Sequence, residues 1–441
     1  MASPLSLNLR LYFTHRTPVF ESLECWPVLP IVLQYGGLPN LDPPASEDDD
    51  NIIATLKQSG RVSCISLTVT SSLLEKLSVI SDPFSELEEL ALLSLYHCFP
   101  TFRWGSRLRS LCLTKIVFPS FPQLLSPCKD LVDLELHEIP SSGYFSLEAF
   151  ANALSGMTQL RSLSFHFLSP PPGQNHFSFP LSPGDYILLP SLTCLNHRGY
   201  SKDLENFVAR IDAPRLEDID ITFFSLSTLD VSQLGQFIQR TEVQKSLRQA
   251  DVETAQDFIL ISLINSGTSR RFRLQISCTA ALSWQLSRMA LIYSQFSSFL
   301  FGVTNLGIIT AQSSSWRNDV GDEEWLGLIL PFGGAEEFRV ADDLATSILR
   351  ALYSVYNGNA MVLPSLRYLR VEDPGAFDDP WDTLQFPQRL SSHPGELQIL
   401  CHICNTSFTK LQELKAHHKL THLREHPDRM FSVFLSRRGT S

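Results

Sequence analysis

Long apolar runs are scarce in this chain. Its best membrane-spanning candidate, Leu286 to Thr310, is interrupted by Arg288, Ser294, Gln295, Ser297, Ser298 and Asn305. A spanning helix needs ~20 predominantly apolar residues, so this stretch predicts a core helix followed by a strand, and no membrane partner. Met1 to Phe13 lacks the unbroken apolar core of a secretory leader, since Arg10 falls inside it. Positive charge is also short: 35 Lys and Arg against 46 Asp and Glu leave a net charge of −11. That balance excludes a general coat for nucleic acid or anionic membranes, because both surfaces repel it. Enzyme signatures are missing too. There is no phosphate-binding glycine loop with Lys, no G-x-S-x-G and no H-E-x-x-H, and no turnover chemistry is expected.

Paired cysteines are nearly absent. Of nine cysteines, Cys25, Cys64, Cys98, Cys112, Cys128, Cys194 and Cys278 stand singly in apolar surroundings. An odd, scattered set suits reduced thiols in the cytoplasm or nucleus and not a disulfide framework.

What is abundant is spaced leucine. The phrase leucine, two residues, leucine, one residue, apolar residue occurs as Val62-x2-Ile65-x-Leu67, Leu87-x2-Leu90-x-Leu92 and Leu108-x2-Leu111-x-Leu113. It continues as Leu131-x2-Leu134-x-Leu136, Leu160-x2-Leu163-x-Phe165 and Leu216-x2-Ile219-x-Ile221, with a weaker copy at Leu192-x2-Leu195. Phe272-x-Leu274, Leu306-x-Ile308, Phe338-x-Val340 and Leu366-x2-Leu369-x-Val371 extend the series, while Leu226 to Ser266 gives no clean copy. The L-x-L part has the period of two of a strand with one buried face, and the residues before it supply a turn. Between the phrases, Ser71 to Ile80, Ser146 to Leu154 and Asp342 to Tyr353 carry helical spacing. His137 and His166 fall inside the phrases and read as exposed or hydrogen-bonded strand residues. Asp322, Glu323 and Glu324 read as the acidic start of a helix. Asn40 to Asn51, with two prolines and the run Glu47 to Asp50, reads as a solvated loop.

Strand, loop and helix recurring at this interval build a solenoid. The pattern resembles the leucine-rich repeat family, although the place where that family has Asn or Cys holds Leu95, Ile116, Ile139 and Leu168. The expected fold class is therefore α/β: a degenerate leucine-rich-repeat solenoid, parallel strands on one side and helices on the other, plus a small ββα zinc finger.

The finger is expected from residues 401–422, CHICNTSFTKLQELKAHHKLTH. Cys401 and Cys404 form a C-x2-C knuckle, followed after twelve residues by His417 and after four more by His422. Two thiolates and two imidazoles offer zinc a neutral tetrahedral site. Phe408 and Leu414 stand where the module's minimal apolar core belongs, so the segment resembles a C2H2-type zinc finger. With four protein ligands, the implied Zn2+ is a single structural ion with no open position for water. His418 offers an alternative to His417. One finger covers ~3 base pairs, and residues 401–441 hold seven basic and three acidic side chains. Weak nucleic-acid contact is therefore allowed, and a nucleic-acid-binding regulator is the alternative function.

From Leu7 to about Glu372 the sequence also resembles the F-box/leucine-rich-repeat-like proteins of basidiomycete fungi. Leu9 to Tyr35, Phe150 to Leu163, Trp325 to Phe332 and Val362 to Glu372 carry that likeness. It implies a target-recognition subunit of ubiquitin-ligase type, with a protein partner on the repeat face. A Skp-type adaptor is implied only if F-box helices precede Met1. The expected organisation is an entry segment and acidic loop (1–60), the solenoid (61–376), a linker (377–397), the finger (398–426) and a tail (427–441).

Overall fold

The computed structural model describes residues 10–13, 29–35, 46–70, 83–98, 105–117, 121–168, 186–224, 230–243, 247–265, 270–277, 282–310, 320–356, 362–371, 398–401 and 407–408, together with 23, 25, 73, 76 and 267. The chain is α/β, with mostly parallel strands and intervening helices, and divides into two compact units. The first comprises Met1–Ile221 and Gln236–Glu242, the second Thr222–Gly235 and Val243–Ser441. Among the described residues, no helix is long and apolar enough to cross a membrane.

In the first unit, β1 (Leu11–Phe13), β2 (Ile31–Tyr35), β3 (Val62–Val69), β4 (Glu89–Cys98), β5 (Ser110–Ile116), β6 (Asp133–Ile139) and β7 (Ser162–Phe167) pair side by side in chain order, all parallel. A small separate pair joins β8 (Ile187–Leu188) to β10 (Ile211–Asp212). β9 (Cys194–Gly199) continues the main sheet from β7, and β11 (Asp218–Phe223) pairs with β9.

Backbone hydrogen bonds explain why the leucine phrase repeats. At the start of five of the phrases an amide closes a tight turn onto a carbonyl three residues back: Leu87 onto Phe84, Leu131 onto Cys128, Leu160 onto Met157, Leu192 onto Leu189 and Leu216 onto Ala213. Both ends of every one of these turns are buried. The carbonyl one residue beyond the leucine then receives two amides from the next phrase. Glu88 accepts from Arg109 and Ser110, Arg109 from Val132 and Asp133, Val132 from Arg161 and Ser162, Arg161 from Thr193 and Cys194, and Thr193 from Glu217 and Asp218. Each phrase is thus the template for its successor, so the pattern must recur in sequence for the backbone groups to be satisfied.

Ile116 and Ile139, three residues after the last leucine of their phrases, are both buried. Lys115 and Glu138, just before them, have φ of 60° and 52°. This left-handed step, rare for residues other than Gly, Asn and Asp, turns the next side chain into the core.

Helices complete the core. Ser146 accepts the Ala149 amide at 3.3 Å and caps the helix Leu147–Leu154. That helix buries Phe150 against Phe121, Phe165 of β7 and Phe207 of the helix Ser201–Val208. The acidic stretch behaves differently from the expected loop: Ser46–Leu56 is a helix. Its acids occupy the N-terminal turns, where the helix dipole favours them, Ile52 and Leu56 are buried, and Asp49 is held by Lys76 at 3.1 Å.

The second unit opens with an antiparallel meander: β12 (Gln249–Thr254), β13 (Phe258–Ile264) and β14 (Arg271–Ser277). This is why residues 226–266 hold no copy of the phrase, and it corrects the reading of Phe272-x-Leu274 as another link of the parallel series. Parallel pairing resumes from β12 to β15 (Asn305–Thr310), β16 (Glu337–Val340), β17 (Tyr368–Val371) and β18 (Gln398–Cys401), and β18 turns antiparallel onto β19 (Ser407–Phe408). The two-amide staircase returns here at the carbonyls of Arg248, Thr304 and Glu336. The stretch Leu286–Thr310 is a helix (Leu282–Gln295), a short helix (Ser297–Leu300) and then β15, as expected, and Asp322–Ile329 is a helix with three acids in its first turn.

Candidate functional site

Strand alternation puts the leucines of each phrase inward and the intervening residues outward. In the first unit the register sets Cys112 beside Glu135, Glu135 beside Ser164, and Ser164 beside Asn196, a row across β5, β6, β7 and β9. In the next row, Thr114 lies beside His137 and His166 beside Arg198. The side chains in these rows bond to one another. His137 places Nε2 3.0 Å from Glu135 Oε2 and Nδ1 3.0 Å from His166 Nδ1. His166 Nε2 lies 3.1 Å from Asn196 Oδ1 and 3.2 Å from Ser164 Oγ. Lys115 and Glu138 border the cluster with a 3.2 Å ion pair.

Electrostatics keep this face uncharged at several points. Burial, opposed by the Asn196 bond, lowers the His166 pKa. Burial and the Glu135 carboxylate push the Cys112 thiol up to about 11. Cys64 repeats the arrangement on β3, its thiol donating to Glu89 Oε2 at 3.5 Å and pushed up to about 12, by burial first. A nucleophilic cysteine needs the opposite, a depressed pKa. Cys64 and Cys128 are buried, Cys112 and Cys194 half-buried and Cys25 exposed, all five as free thiols.

The second unit holds a polar cavity of about 190 Å3 on the outward side of β12, β15, β16 and β17. Its floor is Gly307, paired with Asp251 on one side and Arg339 on the other. The Arg339 guanidinium reaches over the glycine to Asp251 Oδ1 at 2.7 Å. A Cβ on Gly307 would sit 2.4 Å from that oxygen and 3.0 Å from Arg339 Nη2, so only glycine lets the pair close across the strand. Arg370 binds Glu337 at 2.9 Å, and Gln249 donates to Asp251 at 3.0 Å. Two arginines and two carboxylates leave the cavity neutral.

Of the residues expected to hold zinc, Cys401 ends β18, while Cys404, His417 and His422 lie outside the described residues. The segment's backbone pairing is described: Ile399 lies opposite Phe408 and Leu400 opposite Ser407. Sequence reasoning singled out His137 and His166 as strand residues but missed Cys112, Glu135, Asp251, Gly307 and Arg339. Their only signal is position: each of those on β5, β6, β12 and β16 occupies an outward site next to buried apolar neighbours, and the strand register alone brings them together. No protein-family model matches the chain, and no curated protein matches it.

Proposed function

We propose that the chain is a non-catalytic protein-binding scaffold of F-box/leucine-rich-repeat-like type. In this reading the phrases form a degenerate leucine-rich-repeat solenoid, and residues 401–422 a structural C2H2-type zinc finger. One observation carries the proposal: the outward rows of β5, β6, β7 and β9 make a contiguous polar face whose side chains are oriented by their mutual bonds. Pre-oriented polar groups on a rigid sheet lose little entropy on association, which favours recognition of another protein. The one-per-phrase hydrogen-bond staircase supports the repeat assignment, and the β18–β19 hairpin supports the finger. The partner is an intracellular protein, and a Skp-type adaptor enters only with F-box helices upstream of Met1.

Site-specific photo-crosslinking tests the interaction face. A benzophenone side chain at Thr114 or Arg198 is expected to capture discrete partners that the same group at Glu148, on the helix Leu147–Leu154, does not. Identical adducts from both sides would refute the assignment. For the finger, Cys404→Ala is expected to remove one equivalent of bound zinc by elemental analysis, and full retention would remove Cys401, Cys404, His417 and His422 as its ligands.

A further inference from the structure

The outward rows of β5 and β6 contain a combination that protein recognition alone does not require. Cys112 Sγ, a Glu135 carboxylate oxygen and a ring nitrogen of His137 all lie within 4.8 Å of one another. Cys112 and Glu135 are direct cross-strand partners, and Glu135 and His137 are successive outward residues of β6. Two adjacent strands in fixed register therefore present three different ligand types from one side. Four-coordinate zinc with bonds of ~2.0–2.3 Å needs ligand atoms roughly 3.3–3.7 Å apart. The 4.8 Å is an upper bound on the separations, and His137 Nε2 and Glu135 Oε2 already stand 3.0 Å apart, so a tetrahedral ion requires side-chain adjustments of no more than about 1 Å.

The bonding around His137 is the second observation. Asn196 Oδ1 lies 3.1 Å from His166 Nε2, and His166 Nδ1 lies 3.0 Å from His137 Nδ1. This chain of contacts engages His137 through Nδ1 and leaves Nε2 as the ring nitrogen directed towards Glu135 Oε2, 3.0 Å away. The relay Asn196–His166–His137 is the kind of outer-shell chain that fixes the tautomer of a metal-ligating histidine.

We propose that Cys112, Glu135 and His137 form a zinc site, with His166 and Asn196 as positioning residues and the fourth coordination position facing outward. Thiolate and carboxylate together balance the charge of a divalent ion, and the sulfur–imidazole combination selects zinc over magnesium or calcium. The open position gives a partner's side chain, or a water, the place to complete the tetrahedron. This site is independent of the zinc finger.

The test uses the full chain carrying Cys401→Ala and Cys404→Ala, which leaves the expected finger unable to contribute thiolate. Titration with cobalt(II) is expected to produce a thiolate-to-metal charge-transfer band of one equivalent, reversed by zinc. Cys112→Ser should abolish the band. His166→Gln should keep it while weakening affinity about 10–100-fold, as loss of an outer-shell partner does. Hydrogen exchange with and without zinc localises the ion, and slowed exchange in 110–139 is the expected result. A folded Cys112→Ser and a folded His137→Gln that both retain the parent's cobalt band and affinity would overturn the site. So would protection confined to 398–408. If His137 Nε2 and Glu135 share only a proton, neither metal produces a band or a change in exchange, and the proposal likewise fails.

Discussion

Acid should loosen the first unit through one residue, His197. Its side chain is fully buried on β9, against the rings of Phe165 at 4.6 Å and Phe167 at 6.3 Å. A side chain on Gly199 would come within 2.9 Å of the imidazole, so that glycine makes room for it. Burial lowers the His197 pKa from 6.5 to about 3, outweighing the backbone of Tyr200 and Phe165, which favours the charged form. Between these values the unfolded chain binds a proton that the folded one refuses. The stability contributed by this group is therefore complete above pH 6.5 and is lost as the pH falls towards 3. At about 1.36 kcal/mol per pH unit, a fall to pH 4.5 removes roughly 2–3 kcal/mol, about a hundredfold in the opening equilibrium. Hydrogen exchange of peptides from β7 and β9, compared between wild type and His197→Phe, reads this directly, because the chemical exchange rate cancels in the ratio. The wild-type protection should fall relative to the variant by about fiftyfold between pH 6.5 and 4.5. A pH-independent offset from the larger ring is expected and does not matter. His166 is also lowered and remains in both proteins; its charge contributes to lowering His197, so the difference reads His197 together with that coupling. Parallel curves for the two proteins would show that the imidazole is not buried neutral, and the reasoning would fail.

Phe150→Ala should cost about 3–5 kcal/mol, because the ring touches Phe121, Phe165 and Phe207; a denaturant midpoint within error of wild type would contradict the packing. Gly334→Ala should melt the second unit at markedly lower temperature, since its Cβ would lie 2.0 Å from the Phe301 carbonyl oxygen, whereas Gly60→Ala, with nothing within 4 Å, should be neutral. Gly307→Ala should separate Arg339 from Asp251, so its effect on stability should shrink when Asp251→Ala is already present. The ion pair is partly exposed, and the coupling should be about 1 kcal/mol or less.

Much of the fold was legible because the phrase encodes backbone pairing as well as burial. A buried residue, two spacers and a buried leucine close the turn, and the following x-x-L-x-L satisfies the next rung. Leu131-x2-Leu134-x-Leu136 could be placed on a strand from spacing alone, and β6 confirms it. The meander was not legible in the same way. Antiparallel β12, β13 and β14 share the period of two with parallel strands, and Phe272-x-Leu274 contains nothing that states its direction. The helix Ser46–Leu56 was hidden by its acids, which suit a solvated loop and a helix N-terminus equally well.

The outward face was illegible for a different reason. Alternation predicts that Cys112, Glu135 and His137 leave the core, but not which residue stands beside which. That depends on register, and a slip of one residue on β6 would bring inward Leu134 or Leu136 opposite Cys112 in place of Glu135. Register here is held by the paired amides at the carbonyls of Arg109 and Val132, whose spacing follows from the buried turns at Cys128–Leu131 and Met157–Leu160. The chemistry of the face therefore depends on residues that never reach it. Enlarging or shortening one of those turns should disperse the Cys112–Glu135–His137 cluster without changing any of its members, whereas exchanging outward residues leaves the turns and the register untouched.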